Sequence, residues 1–230
     1  MLKDWNYVFD LAHRRGRANE SLAIKDASVL ANRKHLHSHG PLLYQDYVYA
    51  LVRIIKPELV VETGVRYGVC TTHVLKAMED NNAGHLVSCD PMHPTQVFAM
   101  DEIHALCKTP RSLFARWRFF GKASDAEAVP GGRLFAADHA PVTGTILHRM
   151  VGEGVDIFIH DSDHSLDYMT WELETALPHV RSGGLIICDD WDWREHSELH
   201  RHKDGNVVEK FTKKHGLEFH TIGTAAVMEI

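Results

Sequence analysis

The chain has only four cysteines, at positions 70, 89, 107 and 188, and no two are spaced as a C-x-x-C pair. That spacing excludes a paired thiolate metal or redox clip, and thiols in or beside apolar segments suit a reduced, cytoplasmic protein. Long apolar runs are missing too: none approaches the length of a bilayer span, and the opening residues show no secretory signal, so no membrane partner is expected. Positive charge is scarce, with 25 Lys and Arg against 31 Asp and Glu and a formal net charge of −6. This argues against nucleic acid as the main partner. Repeats and low-complexity tracts are lacking. What is present is an ordinary globular composition, 230 residues with 44% hydrophobic and 24% charged, enough for one substantial core. Eighteen histidines make the real charge steeply pH-dependent below neutrality.

The most informative stretch runs from Val155 to Trp193, VDIFIHDSDHSLDYMTWELETALPHVRSGGLIICDDWDW. VDIFIH and GLIIC are short apolar runs of the kind that form buried parallel strands. Tyr168, Trp171, Leu173, Ala176 and Leu177 recur between them at near-helical spacing, predicting a crossover helix. Gly183-Gly184 is read as the turn that releases the chain from it. The first strand ends on Asp161 and Asp163, the second on Asp189 and Asp190. Ligands of an open parallel sheet gather outside the carboxyl ends of its strands, so Asp161, Asp189 and Asp190 should share one rim. Carboxylates brought together repel unless a cation or protons intervene, and a hard divalent ion is the economical reading. The alternative is N-capping and surface solvation, which suits Asp163 better than Asp190.

Residues 1–41 read as a helical cap segment and 42–230 as the main domain. Trp5, Val8, Leu11 and Ala12 form one apolar face. The basic run from His13 to Arg17 is read as a solvated helix end, with an anionic-substrate contact as the alternative. His35, His37 and His39 alternate in a loop ending at Gly40-Pro41, with metal binding and a flap over the site as the readings left open. A helix is predicted over Leu42–Ile55. ELVVET, GVRYG and VCTTHVLKAM then read as strand, glycine turn and helix, a unit that aims backbone N–H groups at an anionic ligand group. Only Gly64 and Gly68 of a full G-x-G-x-x-G are present, and a glycine there could instead permit close packing. HLVSCD is the next strand. It ends at Asp90, twenty-eight residues after Glu62, where nucleotide-binding α/β folds grip ribose hydroxyls; capping of the following turn is the other reading. Residues 95–109 look helical, WRFFGKAS is a third strand running into Ser124-Asp125, and 130–142 an inserted loop. NVVEKFTKKHG is a helix stopped at Gly216, and LEFHTI and AAVMEI form an antiparallel hairpin.

PELVVETGV with its glycine and Thr-bearing helix resembles motif I of class I S-adenosylmethionine-dependent methyltransferases. IHDSDHSLDYM and LPHVRSGGLIICDDW resemble the metal-dependent small-molecule O-methyltransferase branch, which includes the macrolide-sugar O-methyltransferases and cephalosporin-hydroxylase-like proteins. The Asp161–Asp189 step also matches the spacing in catechol-type enzymes. The resemblance covers roughly residues 42–230, leaving 126–150 unmatched; Arg66 and Cys70 depart from the pattern. It implies a Rossmann-like, doubly wound α/β fold: a mostly parallel seven-stranded sheet with an antiparallel C-terminal hairpin. It implies S-adenosyl-L-methionine as cofactor, with Glu62, Gly64 and Gly68 on its methionine side, Asp90 at ribose, Ser124 and Asp125 near adenine, and Asp161 beside the cofactor. It further implies Mg²⁺, or another divalent cation, on Asp161, Asp189 and Asp190, and His164 as general base.

Methyl transfer is an in-line displacement governed by positioning, and a divalent ion would orient the acceptor hydroxyl and lower its pKa. Imidazole at His164 could take the proton near neutrality, or the residue could merely cap the helix that begins near Ser165. The implied acceptor is the hydroxyl of a small molecule, a sugar or a phenol. A hydroxylase-related enzyme and a non-catalytic cofactor-binding protein remain the alternatives, and self-association is left open.

Overall fold

The computed structural model describes residues 5–8, 10–12, 14, 44–65, 68–90, 111–120, 154–191 and 206–230. Seven strands form one sheet: β1 (Leu59–Thr63), β2 (His85–Cys89), β3 (Trp117–Phe120), β4 (Val155–His160), β5 (Val180–Cys188), β6 (Phe219–Ile222) and β7 (Ala225–Glu229). Their order is β3-β2-β1-β4-β5-β7-β6. The first five are parallel, and β7 runs antiparallel to both β5 and β6. This is the mostly parallel sheet with an antiparallel hairpin that the strand patterns predict. The strand order reverses between β1 and β4, which makes their shared end the crevice where such sheets take ligands.

The central strands are buried on both faces, hence their continuous apolar runs. Along β1 and β4 successive side chains enter opposite cores: Val60, Ile157 and Ile159 on one face, Leu59, Val61 and Phe158 on the other. Helices α1 (Tyr44–Ile55) and α2 (Val69–Asn81) cover the first face, with Val48, Leu51, Val74 and Met78 fully buried. Helices α3 (Leu166–Ala176) and α4 (Val207–His215) cover the second through Met169, Leu173, Val208 and Phe211. The first face also receives Val8 and Ala12 from the helical residues near the N-terminus, while Trp5 packs against His220 with ring centroids 4.7 Å apart. Helix α4 starts in a capping box made by Asn206 and Glu209 and stops at left-handed Gly216, as its sequence suggests.

Two readings of the crossover need correction. Its buried face is Met169, Glu172, Leu173 and Ala176, whereas Tyr168 and Trp171 are only half-buried. The aromatic residues drew the stripe off its true position, and a charged residue fills the core place. Nor does Gly183-Gly184 release the chain from a helix. α3 ends at Ala176, a 3-10 turn follows over Leu177–His179, and both glycines lie inside β5. Two steps along β4 there match five along β5, from Val155↔Val180 to Ile157↔Leu185. A side chain at Gly184 would stand 2.8 Å from the Asp156 carbonyl, so the pair builds a bulge. The expected helix at 95–109 and the loop at 130–142 lie outside the described residues.

Candidate functional site

Four adjacent strands each continue the ladder by one hydrogen bond past their last residue. Gly64 N–H donates to the Cys89 carbonyl at 2.8 Å, Asp90 to Phe120 at 3.1 Å, Asp161 to Thr63 at 2.9 Å and Asp189 to His160 at 2.9 Å. Asp90, Gly64, Asp161 and Asp189 are thereby set in a row along one sheet edge, in the strand order β2-β1-β4-β5. Four of the positions named from sequence alone thus occupy equivalent places at the crevice.

On the β1–β2 side, Glu62 is fully buried. Its Oε2 accepts from the Thr71 hydroxyl at 2.8 Å and the Ser88 hydroxyl at 2.6 Å. Burial pushes its carboxyl up to about 7, with those hydroxyls pulling the other way. One oxygen of Asp90 accepts from the Val65 N–H at 2.7 Å, tying the glycine turn to the end of β2. Gly64 has φ +83°, and a Cβ there would stand 1.9 Å from the Asp161 carbonyl oxygen. The glycine is therefore demanded by the chain's own backbone crossing the crevice, which answers the packing alternative raised by the sequence. Gly68, also left-handed, is the N-cap of α2. Ser124 and Asp125 lie outside the described residues, as do Arg66, Cys107, the alternating histidines at 35–39 and the basic positions 13 and 15–17. Cys70, Cys89 and Cys188 are buried and form no disulfide among the described residues; burial pushes Cys70 and Cys188 well up, leaving those two unreactive.

On the β4–β5 side, Asp161, Asp189 and Asp190 do converge. Asp161 Oδ2 accepts from the buried Tyr44 hydroxyl at 2.5 Å, and Asp189 Oδ1 from the Thr224 hydroxyl in the β6–β7 turn at 2.6 Å. His164 Nε2 lies 3.9 Å from Asp161 Oδ1 and 3.9 Å from Asp190 Oδ2, bridging the two carboxylates. The helix start is handled by its neighbours: Ser165 is the N-cap of α3, and Asp163 Oδ1 accepts the Ser165 N–H at 2.8 Å. Burial, then the charges of Asp161 and Asp190, push Asp189 well above the usual carboxylate range. That is the mark of an acidic cluster short of positive charge.

Three carboxylates are the hard oxygen donors that Mg²⁺ or Ca²⁺ takes, so the donor chemistry fits a divalent cation. Among the described residues no three His, Cys, Asp or Glu side chains stand in ligating geometry. Tyr44 and Thr224 hold one oxygen each of Asp161 and Asp189, and ligation would require these side chains to adjust.

Beneath this rim lies a network that sequence reasoning missed. Glu172 of α3 is fully buried, and its Oε2 accepts from Thr63 at 2.8 Å, Ser162 at 2.9 Å and His160 Nδ1 at 2.5 Å. Burial alone would raise its pKa, but the bonds from His160, Thr63 and Ser162 overcome that and hold it below the usual value. The residues on either side of Asp161 are thus pinned to α3 and β1. Spacing contained the clue: Glu172 falls three residues after Met169 and one before Leu173, on the face that must be buried. No local signal pointed to Tyr44, which meets Asp161 across 117 residues of sequence.

A family model described as a methyltransferase domain matches residues 61–191. No curated protein sequence matches the chain. Among solved structures, the fold is similar to a protein described as a caffeoyl-CoA O-methyltransferase from Staphylococcus aureus, with TM-score 0.57, 13% identity, and coverage of 95% of this chain and 98% of that one. It is similar to the O-methyltransferase TomG from Streptomyces achromogenes, in complex with SAM, with TM-score 0.54 and 17% identity over 81% of this chain and 79% of that one. It is also similar to MycE of the mycinamycin biosynthetic pathway, in complex with Mg, SAH and mycinamycin VI, with TM-score 0.53 and 18% identity. That match covers 80% of this chain but 48% of the other, so the chain spans about half the length of MycE. At these identities the likeness is one of fold. No helix among the described residues is long and apolar enough to cross a membrane.

Proposed function

The chain belongs to the methyltransferase-domain family, and on that premise we propose that it transfers the methyl group of S-adenosyl-L-methionine to a hydroxyl oxygen of a small molecule, a sugar or a phenol, with help from a divalent cation. The observation that carries this reading is the row of rim positions: Gly64 and Asp90 at the ends of β1 and β2 stand beside Asp161 and Asp189 at the ends of β4 and β5. A cofactor on the first pair and an acceptor on the second would meet at the crevice between β1 and β4.

Glu62 meets the ammonium of the cofactor's amino-acid end, and Asp90 its ribose hydroxyls. In the transfer, the acceptor oxygen forms a bond to the methyl carbon as the carbon–sulfur bond breaks, and its electron pair stays on sulfur. The sulfonium becomes the neutral thioether of adenosylhomocysteine. The acceptor's proton goes to His164, whose Nε2 stands 3.9 Å from a carboxylate oxygen of Asp161 and of Asp190. A divalent cation held by Asp161, Asp189 and Asp190 would supply orientation and acidification of the acceptor hydroxyl. The half-buried His164 side chain, 19% exposed, can reach an incoming molecule without leaving its carboxylate partners. In this reading the protein works in the cytoplasm.

The test is adenosylhomocysteine release from S-adenosylmethionine with a panel of hydroxylated sugars and phenols, with magnesium and with chelator. Turnover that needs both acceptor and magnesium supports the proposal. Cofactor binding with no release on any acceptor favours a non-catalytic binding protein, and full turnover in chelator removes the cation from the mechanism.

A further inference from the structure

Glu62 sits at the floor of the crevice in an unusual electrostatic setting. Its side chain is completely buried, yet its hydrogen bonds among the described residues come from neutral groups, the Thr71 and Ser88 hydroxyls and the Cys70 thiol. Both hydroxyls bind the same oxygen, Oε2, while Oε1 has no partner among the described residues. The two donors come from different elements, Thr71 from α2 and Ser88 from β2, so the carboxyl plane is fixed from two directions. Ser88 is itself held, because the Trp117 indole N–H of β3 donates to its oxygen at 2.9 Å. A relay of bonds therefore runs from β3 through β2 to β1, and its last member presents one bare carboxyl oxygen.

We propose that Ser88 and Thr71 are positioning residues for cofactor capture, aiming Glu62 Oε1 at the ammonium of the incoming cofactor and setting the pH range over which that capture works. The inference rests on the proposed S-adenosylmethionine site. An ionised carboxylate with no cationic partner, and none stands here among the described residues, is costly to bury, so in the empty protein Glu62 holds its proton well above the ordinary carboxylate range. The position of its pKa at about 7 agrees. The titratable groups that face it are the Cys70 thiol from α2 and Asp90 beyond β2; from β4 its lateral neighbour is the apolar Ile159. Tyr44, Asp161 and Asp189 stand on the far side of Cys70 and act on that thiol. None of these supplies a positive charge, whereas the cofactor's ammonium does.

The sign follows from linkage. An ammonium favours ionised Glu62, so binding below the free-state pKa must expel a proton, and affinity falls with falling pH by up to about tenfold per unit. Above that pKa no proton is expelled and affinity levels off. The Ser88 and Thr71 bonds favour the ionised form. Removing either should move the midpoint upward by about one unit, judged from what two or three donors do to a carboxylate.

Calorimetric titration of adenosylhomocysteine from pH 5.5 to 8.5, in pairs of buffers with different ionisation heats, reads both affinity and protons released. The parent should release close to one proton below the midpoint and none well above it. Ser88→Ala and the isosteric Thr71→Val should each shift that midpoint upward and weaken binding about tenfold at most near pH 7. They should converge on parental affinity at the alkaline end, and Thr71→Ser should behave as the parent. If neither hydroxyl-removing variant weakens binding at any pH, the positioning role is wrong, and if both keep the parent's pH midpoint, the setting of the pH range is wrong. If the parent binds no adenosylhomocysteine at any pH, the cofactor reading itself fails and takes this inference with it.

Discussion

The two halves of the strand-end rim each bury a glutamate completely, and the acidities of the two glutamates are shifted in opposite directions. Glu62, between β1 and β2, is pushed up to about 7; Glu172, under β4, is held below the ordinary range. Burial penalises both alike. The difference lies in the donors: two hydroxyls and the Cys70 thiol on Glu62 against His160 and two hydroxyls on one oxygen of Glu172. A buried carboxylate with a resident partner becomes a strut, and one lacking a cationic partner is poised to receive a cation from outside. The β4–β5 half is thus built rigid beneath its acidic rim, and the β1–β2 half is built to complete its electrostatics with a ligand.

The sharpest way to break this comparison is to remove the strut. Glu172→Ala takes the shared acceptor from Thr63, Ser162 and His160 and should destabilise the protein by several kcal/mol, about 1–3 for each buried polar group left unpaired. Chemical denaturation measures it; a loss below 1 kcal/mol would show that the network is incidental. Gly64→Ala should cost about 3 kcal/mol, because a left-handed backbone and a Cβ driven into the Asp161 carbonyl are both penalised. It should also weaken adenosylhomocysteine binding, because the crevice must open to relieve the clash. A crystal structure of that variant with an unmoved Asp161 backbone would contradict the packing account.

The opposite sign is expected at Glu62. Its raised pKa means the folded state holds a proton that the unfolded chain gives up above pH 4.5, so stability falls between about pH 4.5 and 7. Glu62→Gln removes that penalty. The empty variant should exceed the parent by up to about 3 kcal/mol at pH 8, and the gap should close toward pH 5. Equal stability at both pH values would mean that Glu62 ionises freely in the fold. A smaller change is expected for Tyr44→Phe, which deletes one bond to Asp161 and should cost about 1–2 kcal/mol. His164→Ala should leave folding and cofactor affinity nearly untouched while lowering turnover about 10²–10⁴-fold. Retained turnover would make His164 a bystander of the acidic cluster.

The frame of the molecule was legible because parallel strands buried on both faces write themselves as apolar runs. All seven were visible, from LVVET to AAVME, and so were the aspartates that follow β2, β4 and β5. What stayed hidden was lateral. Nothing local joins Tyr44 to Asp161 or Thr224 to Asp189, since these bonds span 117 and 35 residues. Ser88 reads as one polar residue in a strand, and only its neighbours across the sheet, Glu62 and Trp117, give it a task. Gly183-Gly184 misled because a glycine pair after a helical pattern looks like a helix stop, whereas here it builds a bulge one turn and one strand later. Glu172 misled by its charge, which pattern reading assigns to solvent.

The central claim is that the rim divides into a cofactor half and a cation half. Its most direct test is a calorimetric titration of adenosylhomocysteine in chelator, followed by magnesium, on the parent and on Asp189→Asn. Adenosylhomocysteine should bind both proteins with the same affinity in chelator, NAD should bind neither, and magnesium should then bind the parent but not the variant. Loss of adenosylhomocysteine binding in Asp189→Asn with magnesium binding intact would contradict the division.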